Sequence, residues 1–445
     1  MRKLVSTSRF KLRGAIALGC ITILAGVLAA ACQETPTTTQ TGSPAPEQQA
    51  STTANAKGLK IGSLLPATGD LASVGQPMLG AVPLLVNTVN QCGGVNGEPI
   101  ALVPNTDDQT DPQAGAEGMT KLAEVDKVAG VVGSFASSVS SAAAPIAVRN
   151  KVILISPGST SPVFTERAQK GDFQGYWART APPDTYQAQA LAKLAYERGF
   201  KTAATIVINN DYGVGFEKEF VQSFEKLGGK VTNKDKPTRY DPKATTFETE
   251  VQAAFAGKPE AVAAIAYAET GALLLKTAYE QGLSKGVQIL LTDGSKSEQF
   301  PGQVGKSNDG KFIITGAIGT VPGADGKALE AFTKLWQGKF GKPPAEYAAQ
   351  AWDATALLAL AAQAAQANTG DAIKSKLRDV ANAPGVEVSD VCEALKLVKE
   401  GKDINYQGAS GNVDIDENGD VVGVYDVWRV EEDGKLKTVD QVTPQ

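Results

Sequence analysis

Residues 128–160 read VAGVVGSFASSVSSAAAPIAVRNKVILISPGST, and this stretch decides the fold class. Two apolar runs rich in valine and isoleucine, Val128–Gly133 and Val152–Ser156, are each followed at once by a polar loop. The residues between them, Ser141–Asn150, are typical of a helix. Because near-continuous apolar runs favour strands that are covered on both faces, the stretch predicts a parallel β-α-β unit.

The same unit recurs along the chain. Further runs that predict strands are Leu59–Leu65, Ile100–Pro104, Ala203–Asn209, Ala261–Tyr267, Val287–Thr292 and Phe312–Ala317. Further stretches that predict helices are Pro112–Glu124, Tyr186–Arg198, Gly215–Leu227 and Thr270–Gln281. A break falls at Pro182-Pro183, a pair that continues neither a strand nor a helix. The sequence therefore predicts an α/β protein with two doubly wound lobes.

The C-terminal residues change character. Asn412–Ile415 and Val421–Val430 predict antiparallel strands, and the Asn-Gly pair in Glu417–Asp420 is typical of a hairpin turn between them. Residues 414–419 also copy the first half of a calcium loop, but Tyr425 stands where such a loop needs a bidentate glutamate. We therefore expect a hairpin and no metal site.

The first 32 residues are typical of a secretory signal. Five basic residues precede an apolar run, Ala15–Ala31, which is too short to span a bilayer at about 1.5 Å per residue. Small residues lead directly to Cys32, as in the lipobox of a bacterial lipoprotein signal. Residues 33–57 have the composition of a flexible tether. We expect lipidation of Cys32, the alternative being an ordinary cleavage site beside an incidental cysteine.

The composition excludes several classes of function. The chain has 445 residues, enough for two or three cores, and contains no histidine. Without histidine it lacks the commonest general base and the usual metal ligand. Its net charge of −5 disfavours nucleic acid and anionic lipid surfaces as main partners. We therefore expect a binding protein, with no cofactor and no enzymatic activity.

Polar loops follow the predicted strands at the ends where open α/β sheets bind ligands. The loops in question are Ser134–Ser138, Pro157–Thr160, Asp211–Gly213, the end of the run at Tyr267, and Asp293-Gly294. Serine and threonine hydroxyls at helix N-termini suit a carboxylate, although capping of the helices alone is the alternative. The two loop tyrosines and the lone carboxylate of Asp293 suit the apolar part and the amine of a zwitterion.

Four motifs carry a resemblance to a known family. They are KIGSLLPATG at 60–69, VNQCGGVNG at 89–97, ISPGSTSP at 155–162 and NDYGVG at 210–215. Together they resemble the leucine/isoleucine/valine-binding proteins, over nearly all of residues 59–430. Within that family the chain is most similar to the neutral amino-acid-binding proteins of cyanobacterial ABC importers.

The resemblance implies a type I periplasmic-binding-protein fold, with two lobes joined by a three-crossing hinge. It places lobe 1 at 58–182 with 318–405, and lobe 2 at 183–317 with 406–445. It also implies a set of ligand positions: Ser137 and Ser138 for the carboxylate, the main chain of Gly158, the loop hydroxyls Ser159 and Thr160, Tyr212 and Tyr267 of the second lobe, Asp293 for the amine, and Val74 where relatives carry an aromatic residue.

The expected function follows from that resemblance. The protein would be a monomer, lipid-anchored to the membrane in the periplasm or cell envelope. It would capture a free neutral or branched-chain L-amino acid in the interlobe cleft and deliver it to an ABC permease with its ATPase subunits. The alternative is a ligand-sensing receptor subunit of the same fold. Cys92 and Cys392 are candidates for a disulfide in an oxidising compartment, the alternative being two buried free thiols.

Overall fold

The computed structural model describes residues 58–442. This part of the chain forms two mainly parallel sheets with helices packed on their faces. The predicted signal segment 1–32, the predicted lipidation site Cys32 and the predicted tether 33–57 lie outside the described residues.

The secondary structure alternates between strands and helices along most of the chain. The strands are β1 (Lys60–Leu65), β2 (Ala101–Leu102), β3 (Thr106–Asp107), β4 (Gly130–Gly133), β5 (Ile153–Ser156), β6 (Trp177–Arg179), β7 (Thr202–Ile208), β8 (Lys230–Val231), β9 (Thr238–Tyr240), β10 (Ala261–Ile265), β11 (Gln288–Leu291), β12 (Ile318–Pro322), β13 (Val386–Val388), β14 (Ile404–Tyr406), β15 (Tyr425–Val430) and β16 (Leu436–Val442). The helices are α1 (Ala72–Gln91), α2 (Pro112–Thr120), α3 (Ser137–Arg149), α4 (Val163–Gln169), α5 (Asp184–Glu197), α6 (Asp211–Lys226), α7 (Glu248–Phe255), α8 (Ala268–Glu280), α9 (Phe300–Val304), α10 (Leu329–Phe340), α11 (Ala348–Ala365), α12 (Gly370–Ala381) and α13 (Val391–Lys399). A π-helical turn, Lys121–Val125, continues α2, and a 3₁₀ turn covers Asp293–Ser295.

The first sheet has the order β2-β1-β4-β5-β6, with β3 also paired to β1, and every pairing is parallel. Helices α2 and α3 pack together, and α11 packs against α1, β4 and β5. Nearly every side chain of α11 is buried because alanine and leucine surround its axis on all sides. Among residues 58–442, no helix combines the length and apolarity needed to cross a membrane.

The second sheet has the order β16-β15-β12-β11-β10-β7-β8, with β9 also paired to β7. Strands β7 to β12 pair in parallel, whereas β15 runs antiparallel to both β12 and β16. Strand β10 has no exposed residue, as expected for a central strand covered on both faces.

The described chain passes between the two sheets three times. It leaves the first sheet after β6, returns to the first-lobe helices after β12, and enters the second sheet again at β15. This is the predicted pair of doubly wound lobes with three connections. These connections hold the two sheets next to each other.

Most of the predicted elements are confirmed, but two strands were misplaced. Phe312–Ala317 is not a strand: Thr315 N–H donates to Phe312 O, and Gly316 takes a positive φ of 84°. The strand in this region is β12, which begins at Ile318, directly after the predicted run. The predicted strand Asn412–Ile415 is also wrong. Its Ile415 N–H donates to the side chain of Asn382 at 2.8 Å, and the C-terminal hairpin is instead β15–β16.

Two of the predicted lobe boundaries also need correction. The boundary at 318 assigned β12 to the first lobe, whereas β12 pairs with β11 and β15 of the second sheet. The boundary at 406 assigned the following residues to the second lobe. However, Asp353 of α11 accepts hydrogen bonds from Ala409 N–H at 2.9 Å and Ser410 N–H at 2.7 Å. The chain thus stays on the first lobe well beyond residue 406.

A disulfide joins Cys92, which follows α1, to Cys392 in α13, with their Cα atoms 5.8 Å apart. Helices α1 and α13 both pack on the first sheet's side of the molecule, where α11 contacts each of them. The bridge therefore lies within one lobe and does not link the two.

Candidate functional site

The polar loops of the two lobes meet between the sheets. Ser161, which follows β5 in the first lobe, donates through Oγ to the main-chain oxygen of Asp211 in the second lobe at 2.8 Å. Tyr347, which precedes α11 in the first lobe, donates through its hydroxyl to Asp293 Oδ2 in the second lobe at 2.8 Å. The lobes are therefore in contact at the loops of Asp211 and Asp293, both of which the sequence analysis named.

The first-lobe side of the site is a tightly bonded serine-rich loop. Ser159 Oγ lies within hydrogen-bond distance of Ser134 O, Phe135 O and Ser140 Oγ, at 3.1, 3.0 and 2.8 Å. This hydroxyl braces the two first-lobe loops against each other. Its single proton is shared among these oxygen acceptors, so bracing of the loops accounts for the Ser159 hydroxyl.

The neighbouring hydroxyls differ in how they are used. Ser137, the first residue of α3, accepts a hydrogen bond from Ser161 N–H at 3.2 Å, which leaves its own O–H free to donate. Ser138 is half-buried. Thr160 is fully buried, and its Oγ1 has no hydrogen-bond partner among the described residues. Ser137 and Thr160 are thus the hydroxyls in this loop pair that can still serve a bound molecule.

Gly158 allows this loop to pass against an aromatic ring. A Cβ atom at this position would lie 2.1 Å from Cδ2 and Cε2 of Phe135. Phe135 in turn packs edge-on against Tyr347, with ring centroids 4.7 Å apart. Any side chain at position 158 must therefore move either the loop or the aromatic pair.

We expect Gly158→Ala to cost about 1–3 kcal/mol of stability through overpacking and to displace the Thr160 loop. Ligand affinity should also fall, by roughly tenfold for each 1.4 kcal/mol of lost binding energy. Thermal unfolding and calorimetric titration would measure the two effects. The matched control is Gly302→Ala, whose Cβ would meet no atom within 4 Å. Equal behaviour of the two variants would contradict the role given to Gly158.

The second-lobe side of the site is organised around the carboxylate of Asp293, at the start of the 3₁₀ turn that follows β11. Its Oδ1 accepts from Tyr212 Oη at 2.8 Å and from Gln187 Nε2 at 3.0 Å, and its Oδ2 accepts from Tyr347 Oη. Because a phenol has one proton, Tyr212 donates to the carboxylate and accepts from Thr292 Oγ1, 2.7 Å away. Asp293 therefore holds three side chains from three separate elements.

Tyr267 extends this arrangement. Its ring stacks on that of Tyr212, with centroids 5.6 Å apart and an interplanar angle of 17°. Its hydroxyl accepts from Asn210 Nδ2 at 3.2 Å. Val74, in the first turn of α1, is buried in the hydrophobic core. The two tyrosines form an apolar wall beside the buried carboxylate.

A second carboxylate lies close by, that of Asp184 at the start of α5. Its N–H donates to Thr160 O at 2.7 Å. Neither of its carboxylate oxygens has a well-formed hydrogen bond to another described residue, although the nearby hydroxyl of Thr160 lowers the pKa of this carboxyl. Burial raises the pKa of Asp184 well above its ordinary value, and the negative charge of Asp293 raises it further. Burial likewise raises the pKa of Asp293, although its three hydrogen bonds act in the opposite direction.

The charge of Arg179 acts on Asp184 and lowers its pKa, but the guanidinium is hydrogen-bonded to other groups. Arg179 is completely buried, and its Nε donates to Asp420 Oδ1 at 2.7 Å. Its Nη1 donates to the main-chain oxygens of Ser159 and Ser161, at 2.9 and 3.0 Å. The region around Thr160 therefore holds two buried carboxylates with unused acceptor capacity, which favours a cationic group.

The family follows from a comparison of the whole chain with known proteins. A family model described as "Receptor family ligand binding region" matches residues 77–433. The chain belongs to this family. The four sequence motifs indicate a resemblance to the leucine/isoleucine/valine-binding proteins, and the comparisons confirm that resemblance.

Three proteins illustrate the likeness. The chemotactic signal transduction system substrate-binding protein BasB of Halobacterium salinarum is 28% identical over 364 residues, which cover 80% of this chain and 83% of that protein. The Leu/Ile/Val-binding protein homolog 1 of Brucella abortus is 29% identical over 328 residues, covering 72% of this chain and 82% of that protein. The crystal structure of a leucine-binding protein from Thermotoga maritima has 25% identity and a TM-score of 0.72, covering 87% of this chain and 99% of that chain. These likenesses confirm the predicted two-lobed α/β fold.

Three residues of this candidate site were missed by reasoning from sequence. Asp184, Gln187 and Tyr347 contact or adjoin the group around Asp293, yet each belongs to a different part of the chain. Asp184 carried the clearest signal, since it is the first carboxylate after the Pro182-Pro183 break. Tyr347 gave no such signal, because a tyrosine before an alanine-rich helix is typical of the hydrophobic core. Among residues 58–442, no group of carboxylates and cysteines is arranged to hold a metal ion.

Proposed function

We propose that the protein is the extracytoplasmic substrate-binding component of an ABC importer and captures a free neutral or branched-chain L-amino acid between its lobes. The observation that carries this proposal is a buried cluster of polar atoms that lack a well-formed hydrogen bond to another described residue: Thr160 Oγ1 and both carboxylate oxygens of Asp184, beside Asp293. A buried carboxylate without a partner is costly, and a ligand ammonium group would remove that cost.

The carboxylate of an amino-acid ligand would have a matching site at the N-terminus of α3. The free hydroxyl proton of Ser137 and the half-buried Ser138 open helix α3, where the helix dipole favours an anion. A zwitterion with its carboxylate at α3 and its ammonium at Asp184 would satisfy both ends. The stacked rings of Tyr212 and Tyr267 provide apolar surface for the rest of the molecule. This support extends to the α-amino-acid group rather than to one particular side chain.

Calorimetric titration with L-alanine, L-serine, L-leucine, L-phenylalanine and benzoate tests the proposal. We expect at least one amino acid to bind and benzoate not to bind, since benzoate would bring an anion without a cation to two buried carboxylates. Benzoate binding with no response to the amino acids would refute the amino-acid assignment. Mass spectrometry of protein purified from its host, followed by identification of the released molecule, would name the natural ligand.

A second candidate function is ligand sensing. It is favoured by the similarity to BasB, whose name assigns it to a chemotactic signal transduction system. Both functions need the same cleft and differ only in the membrane partner. A deletion strain that loses uptake of the bound amino acid identifies transport, whereas normal uptake with a lost behavioural response identifies sensing.

The lipid anchor is a further part of this proposal, and it rests on the small residues that lead to Cys32 and on the tether after it. Two or more acyl chains hold a protein stably at a membrane, whereas one chain binds only marginally. We expect Cys32→Ser to move the folded part of the protein from the membrane fraction to the soluble envelope fraction, as measured by fractionation and immunoblotting. The matched control is Cys20→Ser, which should leave the protein with the membrane. Retention of the Cys32→Ser variant would contradict lipidation.

A further inference from the structure

The N-terminus of helix α8 receives its cap from the other lobe. Asp70, in the first-lobe segment between β1 and α1, accepts through Oδ1 from Thr270 N–H and through Oδ2 from Thr270 Oγ1, both at 2.7 Å. The main-chain oxygen of Asp70 also lies 3.4 Å from Glu269 N. The residue that precedes α8 in its own chain segment, Tyr267, makes no side-chain capping bond. The first turn of this helix is therefore completed only when the lobes are together.

The contact is continued into the core of the second lobe. Tyr240 of β9 is fully buried, and its hydroxyl lies 3.1 Å from Thr270 Oγ1. Because Thr270 donates its single proton to Asp70, Tyr240 must donate to Thr270. Asp70 thus ends a chain of hydrogen bonds that begins inside the second lobe, and it also faces the positive end of the α8 dipole.

Two ion pairs between the lobes are of a different kind from the Asp70 contact. Lys243 pairs with Asp111 at 3.2 Å and Lys218 pairs with Glu166 at 3.4 Å, but both lysine side chains are mostly exposed. Exposed ion pairs contribute little because water and salt screen them. The Asp70 contact is partly buried, uses both carboxylate oxygens, and fills backbone donors that would otherwise lack a protein partner.

We propose that Asp70 is a latch that holds the two lobes closed, and that it sets the residence time of the bound molecule without touching it. The identity of that molecule rests on the proposed function, whereas the latch itself does not. Opening the cleft must break the Asp70–Thr270 bonds and uncap α8. The latch therefore slows opening, and with it the release step, while leaving the approach of a ligand to the open form unchanged.

The first test needs no ligand. In hydrogen exchange measured by mass spectrometry on the whole protein, Asp70→Ala should speed exchange of the Glu269 and Thr270 amides on the order of tenfold, the effect of losing a helix cap. Asp70→Asn should retain most of the protection, because asparagine caps helices about as well as aspartate. Unchanged exchange in Asp70→Ala would overturn the proposal. Equal exchange in the alanine and asparagine variants would overturn the capping mechanism.

The second test separates a latch from a merely structural cap. Asp390 caps α13 within the first lobe by accepting from Glu393 N–H at 2.8 Å, so Asp390→Ala removes a comparable cap that does not cross the cleft. In stopped-flow measurements with whichever of the four amino acids binds, Asp70→Ala should raise the dissociation rate roughly tenfold and leave the association rate within twofold. Asp390→Ala should change neither rate. A matching rise in Asp390→Ala, or no rise in Asp70→Ala, would refute the latch. If none of the four amino acids binds, the proposed function fails and the exchange experiment alone decides the latch.

Discussion

Asp184→Asn is expected to weaken amino-acid binding by roughly 30-fold to several-thousand-fold, or about 2–5 kcal/mol, and at the same time to stabilise the ligand-free protein. Binding falls because a desolvated ammonium group loses its charged acceptor. Stability rises because burial penalises the charged form of the Asp184 carboxyl, whereas asparagine carries no charge.

The stability effect has a definite pH dependence. The pKa of Asp184 is raised in the folded protein, so the folded state binds this proton more tightly than the unfolded chain does. The corresponding stability is present below the ordinary pKa of about 4 and is lost as the pH rises through the raised pKa. The parent protein should therefore lose stability relative to Asp184→Asn as the pH increases. Chemical unfolding of both proteins over a pH series would measure this difference.

Asp293→Ala provides a contrasting result. We expect binding to be lost to a similar degree, but stability should fall, because Tyr212, Gln187 and Tyr347 would lose the acceptor that they share. The matched control for both variants is Glu166→Ala, which removes an exposed carboxylate that pairs with Lys218 across the lobes. That control should bind within threefold of the parent. Binding within threefold by Asp184→Asn as well would show that the ammonium group is held elsewhere.

Loss of the disulfide is expected to have the largest effect on stability. The two cysteines are 300 residues apart, and the chain-entropy model gives about 5–6 kcal/mol for closing a loop of that length. We expect Cys92→Ala with Cys392→Ala to lower the free energy of unfolding toward that amount, measured by denaturant titration. Amino-acid affinity should change little, because both cysteines belong to the first lobe. In the denatured but unreduced parent protein neither of the two should react as a free thiol, and two reactive thiols would contradict the bridge.

The regular part of the fold could be predicted from the sequence because its strands are buried on both faces. Runs such as Val152–Ser156 are apolar at nearly every position and end in polar loops, so both the strand and the binding edge of the sheet are apparent. Phe312–Ala317 satisfied the same pattern but contains Gly316 at a turn, and only the pairing of β12 with its neighbours reveals where the strand starts. Apolar composition alone does not separate a strand from the turn that leads into it.

The site was predictable only where it follows a strand directly. Ser137, Thr160, Tyr212 and Asp293 could be proposed as ligand positions because each follows the carboxyl end of a parallel strand. Gln187 of α5 and Tyr347, which precedes α11, reach Asp293 from distant points of the chain, and their role depends on a packing arrangement that local patterns do not encode. Likewise, no spacing rule relates Asp70 to Thr270, which are 200 residues apart.

The bonds around Arg179 have a consequence for where the protein can bend. Arg179 N–H donates to Gly419 O at 2.9 Å, and its guanidinium holds Asp420, so residues up to 420 are fixed to the first lobe. Strand β15 of the second sheet begins at Tyr425. In the third connection, only residues 421–424 are left to absorb a change of angle between the lobes.

These four residues lie against the other two connections. A Cβ atom on Gly423 would be 3.2 Å from Cγ of Pro182, and Val424 O accepts from Gly323 N–H at 2.9 Å. The three connections between the lobes thus lie together at one place. We infer that the lobes rotate about this small region. A pivot of this kind preserves the alignment of the two binding surfaces through each cycle of opening, so that the ligand meets the same geometry whenever the lobes close.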